Sequence, residues 1–454
     1  MAQERTLDVA ELIEGKKLSW PQISVALWLC TLMVLEGYDM QTLSFAAPAI
    51  LREWHVSRAD FGFVLSAHLL GYLFGALSLS LLGDRIGRKM VILAGATIFG
   101  IFTFGAGFAA SPTQLYLWRL CAGFGLGGAI PTGIALAAEY MPARIRATTI
   151  GLMFVGYNVG AGLGGFIAAW TVVDFGWPSV FFIGGLAALP MLIGLTIALP
   201  ESIRFLVVRG GALERVNAIA RWLRPDDGFT GTTRYVVNEE RRANSPASLF
   251  IDGRAAITLL LWLAFIMSFL GHYVITAWMP TVLTDDGHSI AEANTAMGFF
   301  QMGGAIGSFL IAFLLDRIGI KVVAITFLIT VPIVIALGVH SLYPVLIANM
   351  ILGGIAVLGG QIGLNALSGT LYPTYMRATG AGWGLGIGRF GSILGPIIAG
   401  QLLGLGVARP TLLLITSIPF FFCGLALFAL NAAKNAQDGR SPVSGVAKAG
   451  EFAH

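Results

Sequence analysis

A chain of 454 residues with 56% hydrophobic side chains, 59 additional glycines and only 11% charged residues does not fit a soluble globular protein. In such a protein glycine and apolar residues together make up roughly 45–50% and charges about 25%. The same figures exclude a disordered chain. Apolar residues that come in long runs, not in alternation, argue against an outer-membrane barrel, and the net charge of +4 matters less than where the charges sit.

Residues 1–21 are polar, with Glu4, Arg5, Asp8, Glu11, Glu14, Lys16 and Lys17 and no short apolar stretch ending at a cleavage site. They are expected to form a cytoplasmic tail, not a secretory leader. A membrane-spanning helix needs ~20 predominantly apolar residues. Six such runs are predicted in a first bundle, residues 22–199, at 22–50, 59–82, 90–110, 112–137, 148–172 and 178–199. A polar central segment follows at 200–255. It holds a stretch of helical composition, Ala212–Arg224, closed by Pro225-Asp226-Asp227-Gly228, a stop signal. Six further runs, at 256–282, 292–314, 322–341, 344–368, 379–404 and 409–431, make a second bundle over 256–431, and a tail of 432–454 ends the chain. Cys30, Cys121 and Cys423 all fall inside apolar runs and are read as small packing residues, not as disulfide or metal ligands.

Orientation follows from the basic residues. With the N-terminus inside, only Arg52, Arg58 and Arg409 fall outside and only Arg119 and Arg389 lie within spans; every other Lys and Arg is cytoplasmic. Both termini and the central segment are therefore expected in the cytoplasm, with the chain a multi-pass protein of the inner (plasma) membrane. Two short motifs recur at nearly one offset. Asp84-Arg85-Ile86-Gly87 returns as Asp316-Arg317-Ile318-Gly319, and Arg146-Ala147-Thr148 as Arg377-Ala378-Thr379. Two related six-helix halves around a central cavity describe a secondary transporter. Gly-rich stretches such as Gly123 to Gly128 and Gly156 to Gly165 lie inside spans, follow no strand and lack a Gly-Lys-Ser/Thr ending, so they read as helix-packing positions and not as nucleotide loops. An ion gradient is the expected energy source. No cofactor, metal or nucleic acid is expected; the surrounding partner is membrane lipid, and the expected assembly is a monomer.

The run Gly83-Asp84-Arg85-Ile86-Gly87-Arg88-Lys89 resembles the signature loop of the major facilitator superfamily, with Ser80 where that family often has Gly. Further motifs resemble those of its aromatic acid:proton symporter family: Pro200-Glu201-Ser202-Ile203-Arg204-Phe205-Leu206 after span 6, Gly360-Gln361-Ile362-Gly363-Leu364-Asn365-Ala366-Leu367 in span 10, Tyr372-Pro373-Thr374, and Gly388-Arg389-Phe390-Gly391 continuing to Pro396 in span 11. The resemblance covers about residues 20–430. Where that family usually shows Asp-Gly-x-Asp, this chain has Glu36-Gly37-Tyr38-Asp39; Glu keeps the carboxylate and lengthens its reach. The resemblance implies an all-α membrane protein of 12 transmembrane helices in two pseudo-two-fold-related six-helix bundles, importing a small aromatic carboxylate of benzoate or hydroxybenzoate type with a proton. The spans, repeat and charges by themselves support only a proton-linked transporter. An importer of another organic anion, such as a sugar acid or dicarboxylate, is the nearest alternative. A proton-driven efflux pump is the next, but Gly160-Ala161-Gly162 lacks the glycine-proline pair expected of one. A non-transporting sensor would need a signalling domain, and an enzyme a catalytic constellation; neither is evident.

Ionisable groups inside a membrane are costly and are functional candidates by default. Glu36 and Asp39, three residues apart, share one face of span 1 and are read as the proton-coupling acids, against a purely structural ion pair with Arg119 as the alternative. Arg119 lies at a comparable depth by the helical rise of ~1.5 Å per residue; it either pairs with these acids or binds the substrate carboxylate. Arg389 lies near the middle of span 11 with no acidic residue of the second half at its depth, so a substrate carboxylate is its expected partner, against backbone carbonyls as the alternative. Gln361 and Asn365 are expected to bond substrate polar groups or to act as polar glue between helices. Tyr273 and Trp278 are candidates for stacking on an aromatic ring, Trp278 alternatively for an interfacial belt, and Tyr38 is a further substrate-binding candidate. His68 and His272 are read as helix-contact residues, with proton relays as the alternative. Asp84, Arg85, Arg88, Lys89, Asp316 and Arg317 are expected to form a cytoplasmic gate of charge pairs, against a plain solvated loop.

Overall fold

The computed structural model describes residues 6–14, 18–210, 213–225, 233–237, 246–251, 253–339, 342–373 and 376–440, the side chains of Asp316, Ala378 and 438–440 excepted. Lys16, Lys17, the stop signal's Asp226-Asp227-Gly228, Thr374, the side chain of the gate candidate Asp316 and the tail beyond 440 therefore lie outside the described residues. Among the described residues, twelve helices stand where the twelve apolar runs are. In the first half they are α1 (Trp20–Trp54), α2 (Arg58–Ile86), α3 (Arg88–Ala106), α4 (Pro112–Tyr140), α5 (Ala143–Phe175) and α6 (Pro178–Ala198). In the second they are α7 (Ala255–Asp285), α8 (Ile290–Ile318), α9 (Ile320–Ala336), α10 (Tyr343–Ser368), α11 (Arg377–Gly404) and α12 (Arg409–Arg440). Among the described residues, eleven are long and apolar enough to cross a membrane, and α9 is a shorter apolar helix.

Local chemistry sets the helix starts. Ser57 accepts from the Asp60 amide and Ser111 from the Gln114 amide, each satisfying one of the amides that a helix start leaves without a partner. Proline stands at the first positions of α4 and α6, where its missing N–H costs nothing. Several helices run a few residues past their expected ends. α4, for example, continues to Tyr140 and carries Glu139 with it.

By contacts the chain divides into two compact units. One holds residues 1–241 with 283–298, the other 242–282 with 299–454. In the first unit α2 packs along α4, α1 along α5, and α3 against α4 and α6. The α2–α4 approach is close enough that a Cβ on Gly123 would strike the His68 carbonyl. The ends of α7 and α8 belong to this unit: Asp285 pairs with Arg58 at 2.8 Å, and Asn294 donates to the Phe45 carbonyl at 3.3 Å. The polar segments add a strand pair that hydropathy did not indicate and a helix where one was expected at 212–224. Thr6–Asp8 and Arg234–Val236 pair as a two-stranded parallel sheet. Beside them, the helix Leu213–Leu223 buries Val216, Asn217, Ala220 and Leu223, and Tyr235 donates to Asn217 at 2.7 Å.

In the second unit α9 packs on α10 and α12. Arg409 donates to the Leu337 carbonyl at the end of α9 through Nε (2.8 Å) and Nη2 (2.5 Å), a favourable place for a cation because the helix dipole is negative there. α7 lies along α11, with the Trp278 indole donating to the Pro396 carbonyl at 2.8 Å.

Candidate functional site

Three polar clusters stand out, each within one unit. The first centres on Asp39 of α1, which is 0% exposed. Its Oδ1 accepts from Arg119 Nη1 of α4 at 2.8 Å and from Thr103 Oγ1 of α3 at 2.9 Å. Arg119, likewise 0% exposed, also donates through Nη2 to the Asp39 carbonyl at 2.8 Å, and its guanidinium lies 5.7 Å from the ring centre of Phe181 in α6. A charge this deeply buried is tolerable only when paired, and this pair is made twice over, through carboxylate and backbone. Asp39 Oδ2 faces His68 Nδ1 of α2 at 3.4 Å. Glu36, one turn before Asp39, is also buried, at 4% exposed, but both terminal nitrogens of Arg119 go to residue 39. Tyr38 is turned elsewhere: its hydroxyl donates to the Val180 carbonyl at 2.9 Å. Thr103 and Phe181 carry no charge to mark them in the sequence, whereas His68, expected as a helix-contact residue, stands beside the Asp39 carboxylate.

The second cluster lies between α7, α10 and α11. Arg389 is half-buried, unlike Arg119, and its guanidinium stands 5.8 Å from the ring centre of Phe269. Phe269 meets Tyr273 edge-on at 6.0 Å, and Tyr273 meets His272 at 4.8 Å. A half-buried arginine beside aromatic rings suits a ligand with both a carboxylate and an apolar ring. Ser268 Oγ lies 2.5 Å from Gln361 Oε1, and Gln361 Nε2 donates to Asn365 Oδ1 at 3.3 Å, so these three form one polar chain across α7 and α10. Trp278 is fully buried and its indole N–H is taken by Pro396, which makes it a strut between α7 and α11. Tyr372, in the connection between α10 and α11, donates to Thr258 Oγ1 at 3.2 Å; burial pushes its phenol above the ordinary value, keeping it a neutral donor.

The third cluster gathers the basic loop between α2 and α3. Arg88 pairs with Glu139 at 2.9 Å, and Glu139 accepts from Ser202 at 2.6 Å. Glu201 Oε1 accepts from the amides of Arg88 (2.8 Å), Lys89 (3.1 Å) and Ser202 (2.8 Å), and so caps the start of α3, where the helix dipole favours an anion. Gly87, at φ +104°, passes so close that a Cβ there would meet the Glu201 carboxylate. Lys89 Nζ donates to the Thr196 carbonyl at 2.8 Å, and Arg209 to the Asp84 carbonyl at 3.3 Å. The side chains of Asp84 and Arg85 are exposed; in the second unit Arg317, the repeat counterpart of Arg85, lies over its neighbour Phe313 at 4.2 Å. Arg88 and Lys89 are thus engaged by α4, α6 and the segment after α6. Glu139 escaped notice because the expected end of its span fell at residue 137.

This architecture has known relatives. The family model of the Major Facilitator Superfamily matches residues 29–225 and 261–450. The chain belongs to that superfamily. It is 39% identical over 428 residues to a gallate transporter of Pseudomonas putida, covering 93% of this chain and 95% of the relative. It is 37% identical to the 4-hydroxybenzoate transporter PcaK of Pseudomonas aeruginosa, over 88% of this chain and 90% of the relative. With the benzoate transport protein of Acinetobacter baylyi it shares 31% identity over 98% and 96% of the two chains. Among solved structures, a D-xylose-proton symporter superposes with a TM-score of 0.71 at 17% identity, over 89% of this chain and 97% of that one, a likeness of fold.

Proposed function

We propose that this superfamily member is a proton-coupled symporter that imports a small aromatic carboxylate of benzoate or hydroxybenzoate type by alternating access, working as a monomer in the inner membrane with both termini cytoplasmic. The relatives named for gallate, 4-hydroxybenzoate and benzoate support the substrate class. The observation that carries the proton coupling is the Asp39–Arg119 pair, in which both side chains are sealed from solvent. A carboxylate held there cannot lose its charge without unbalancing a guanidinium that stays protonated, so proton binding at Asp39 and the state of the helices around it are linked. Glu36, buried one turn away, is the second acid of the coupling site.

For substrate, Arg389 is the carboxylate anchor, Phe269 and Tyr273 offer ring faces, and Gln361 with Asn365 supplies polar partners for ring hydroxyls. Trp278 shapes the site from behind, its indole N–H already spent on the Pro396 carbonyl. In the first unit Asp84, Arg85, Arg88 and Lys89 serve as cytoplasmic gate residues, with Glu139 paired to Arg88 and Glu201 accepting from the Arg88 and Lys89 amides. Uptake of labelled 4-hydroxybenzoate into proteoliposomes, with and without an imposed inward proton gradient, tests the proposal. Gradient-driven accumulation inhibited by benzoate and gallate is expected. Inhibition by sugar acids or dicarboxylates but not by benzoates would overturn the substrate class.

A further inference from the structure

We infer that His68 is the proton relay of this transporter, the group through which Asp39 gains and loses its proton. The inference rests on the proposal that Asp39 is a coupling acid, and it follows from the occupancy of the two carboxylate oxygens. Oδ1 already accepts from Arg119 and Thr103, at 2.8 and 2.9 Å, and both partners are donors there. An incoming proton has to attach at Oδ2, which accepts no hydrogen bond. The group facing Oδ2 is His68 Nδ1, at 3.4 Å.

Imidazole is the side chain whose ordinary titration lies nearest neutrality, and a shift of a few tenths of an ångström brings Nδ1 into hydrogen-bonding range of Oδ2. The backbone of α2 is held at this position by its close approach to Gly123, so the imidazole is carried on a firmly seated turn. The other groups around Asp39 are poorly placed to do this work. From α1, the Tyr38 hydroxyl is committed to Val180, and Glu36 is a second acid one turn away. From α4, Arg119 keeps its proton. α3 and α6 contribute Thr103 and Phe181, which do not titrate.

The step balances simply. His68 takes a proton from hydronium, which is left as water, and becomes an imidazolium. Its Nδ1–H bond breaks as an O–H bond forms at Asp39 Oδ2, leaving a neutral imidazole and a neutral carboxylic acid. The charge opposite Arg119 is thereby removed, and the reverse transfer restores it. His68 and Asp39 side chains are only 3% and 0% exposed, so the relay exchanges with water only after the surrounding helices part. That requirement ties proton exchange to the conformational cycle.

The test uses the full-length protein in proteoliposomes with labelled 4-hydroxybenzoate, comparing wild type, His68→Gln, His68→Asn and Asp39→Asn. Two rates are read: gradient-driven uptake, which needs protons to come and go, and counterflow exchange with substrate on both sides, which does not. Both His68 variants are expected to lose about a hundredfold in gradient-driven uptake, the scale of a positioned proton donor, while counterflow stays within about twofold of wild type. Gradient-driven uptake retained by His68→Gln, while Asp39→Asn loses it, would overturn the relay and leave the coupling site standing. Gradient-driven uptake retained by Asp39→Asn would overturn the coupling site itself. Loss of counterflow together with uptake in both His68 variants would make His68 a structural strut and overturn the relay.

Discussion

The Asp39–Arg119 pair allows a quantitative expectation about stability. Both side chains are 0% exposed and meet at 2.8 Å. Removing one charge from such a pair costs ~3–5 kcal/mol, because the other is left buried without its counter-charge. Arg119→Gln leaves a carboxylate, which can shed its charge by taking a proton. Asp39→Asn leaves a guanidinium, which cannot. Asp39→Asn is therefore expected to be the more damaging of the two, tempered by the hydrogen bond from Arg119 to the residue 39 carbonyl and by the Phe181 ring. Removing both charges takes the imbalance away, so the double variant is expected to cost less than either single change. Independent effects would instead sum to roughly 6–10 kcal/mol. Thermal or denaturant unfolding of the four proteins in the same detergent measures this interaction directly. A double variant as unstable as the two single losses combined would refute the reasoning, since the charges would then not depend on one another. The same imbalance arises whenever Asp39 is protonated in the transport cycle. A few kcal/mol is the size of bias that shifts a two-state equilibrium.

Other consequences are simpler to check. Gly123→Val should drive α2 from α4 and lower the melting temperature of the purified protein, at an overpacking cost of about 1–3 kcal/mol; Gly151→Ala on the same scale should change little, because nothing lies within 4 Å of a Cβ there. Glu201→Ala removes the acceptor for the Arg88, Lys89 and Ser202 amides and should cost about 0.5–2 kcal/mol, the range for losing a helix cap, visible as an earlier unfolding midpoint. Arg389→Lys keeps the charge but not the planar fork, and should raise the KM for 4-hydroxybenzoate about tenfold, the equivalent of ~1.4 kcal/mol, with a smaller change in maximal rate.

The twelve helices were legible because runs of ~20 apolar residues have few other uses, and the repeated Asp-Arg-Ile-Gly motif pointed to two related halves. The depth of Asp39 and Arg119 along their helices was enough to make their contact feasible. What the sequence hid was rotation. Helices that are apolar on nearly every side carry little periodic signal, so nothing indicated that His68 and Thr103 turn toward Asp39, or that Ser268 meets Gln361. Trp278 shows the same limit: beside Pro280 it could stand at an interface, yet its indole is buried against Pro396. Glu139 was hidden by an end effect, since α4 runs on to Tyr140 past the last strongly apolar residues. The strand pair of Thr6–Asp8 with Arg234–Val236 joins segments more than 220 residues apart in a polar context, a pairing that no local pattern reports.

The most direct measurement is proton movement caused by substrate. Wild-type and Asp39→Asn proteoliposomes would be suspended in lightly buffered medium with no imposed gradient, 4-hydroxybenzoate added outside, and external pH followed alongside labelled uptake. The expected result is an alkaline transient that rises and saturates with substrate uptake in the wild type. It should be absent in Asp39→Asn, while counterflow exchange in that variant persists. Substrate entry into wild-type vesicles with no accompanying proton, or an undiminished alkaline transient in Asp39→Asn, would contradict proton coupling at Asp39.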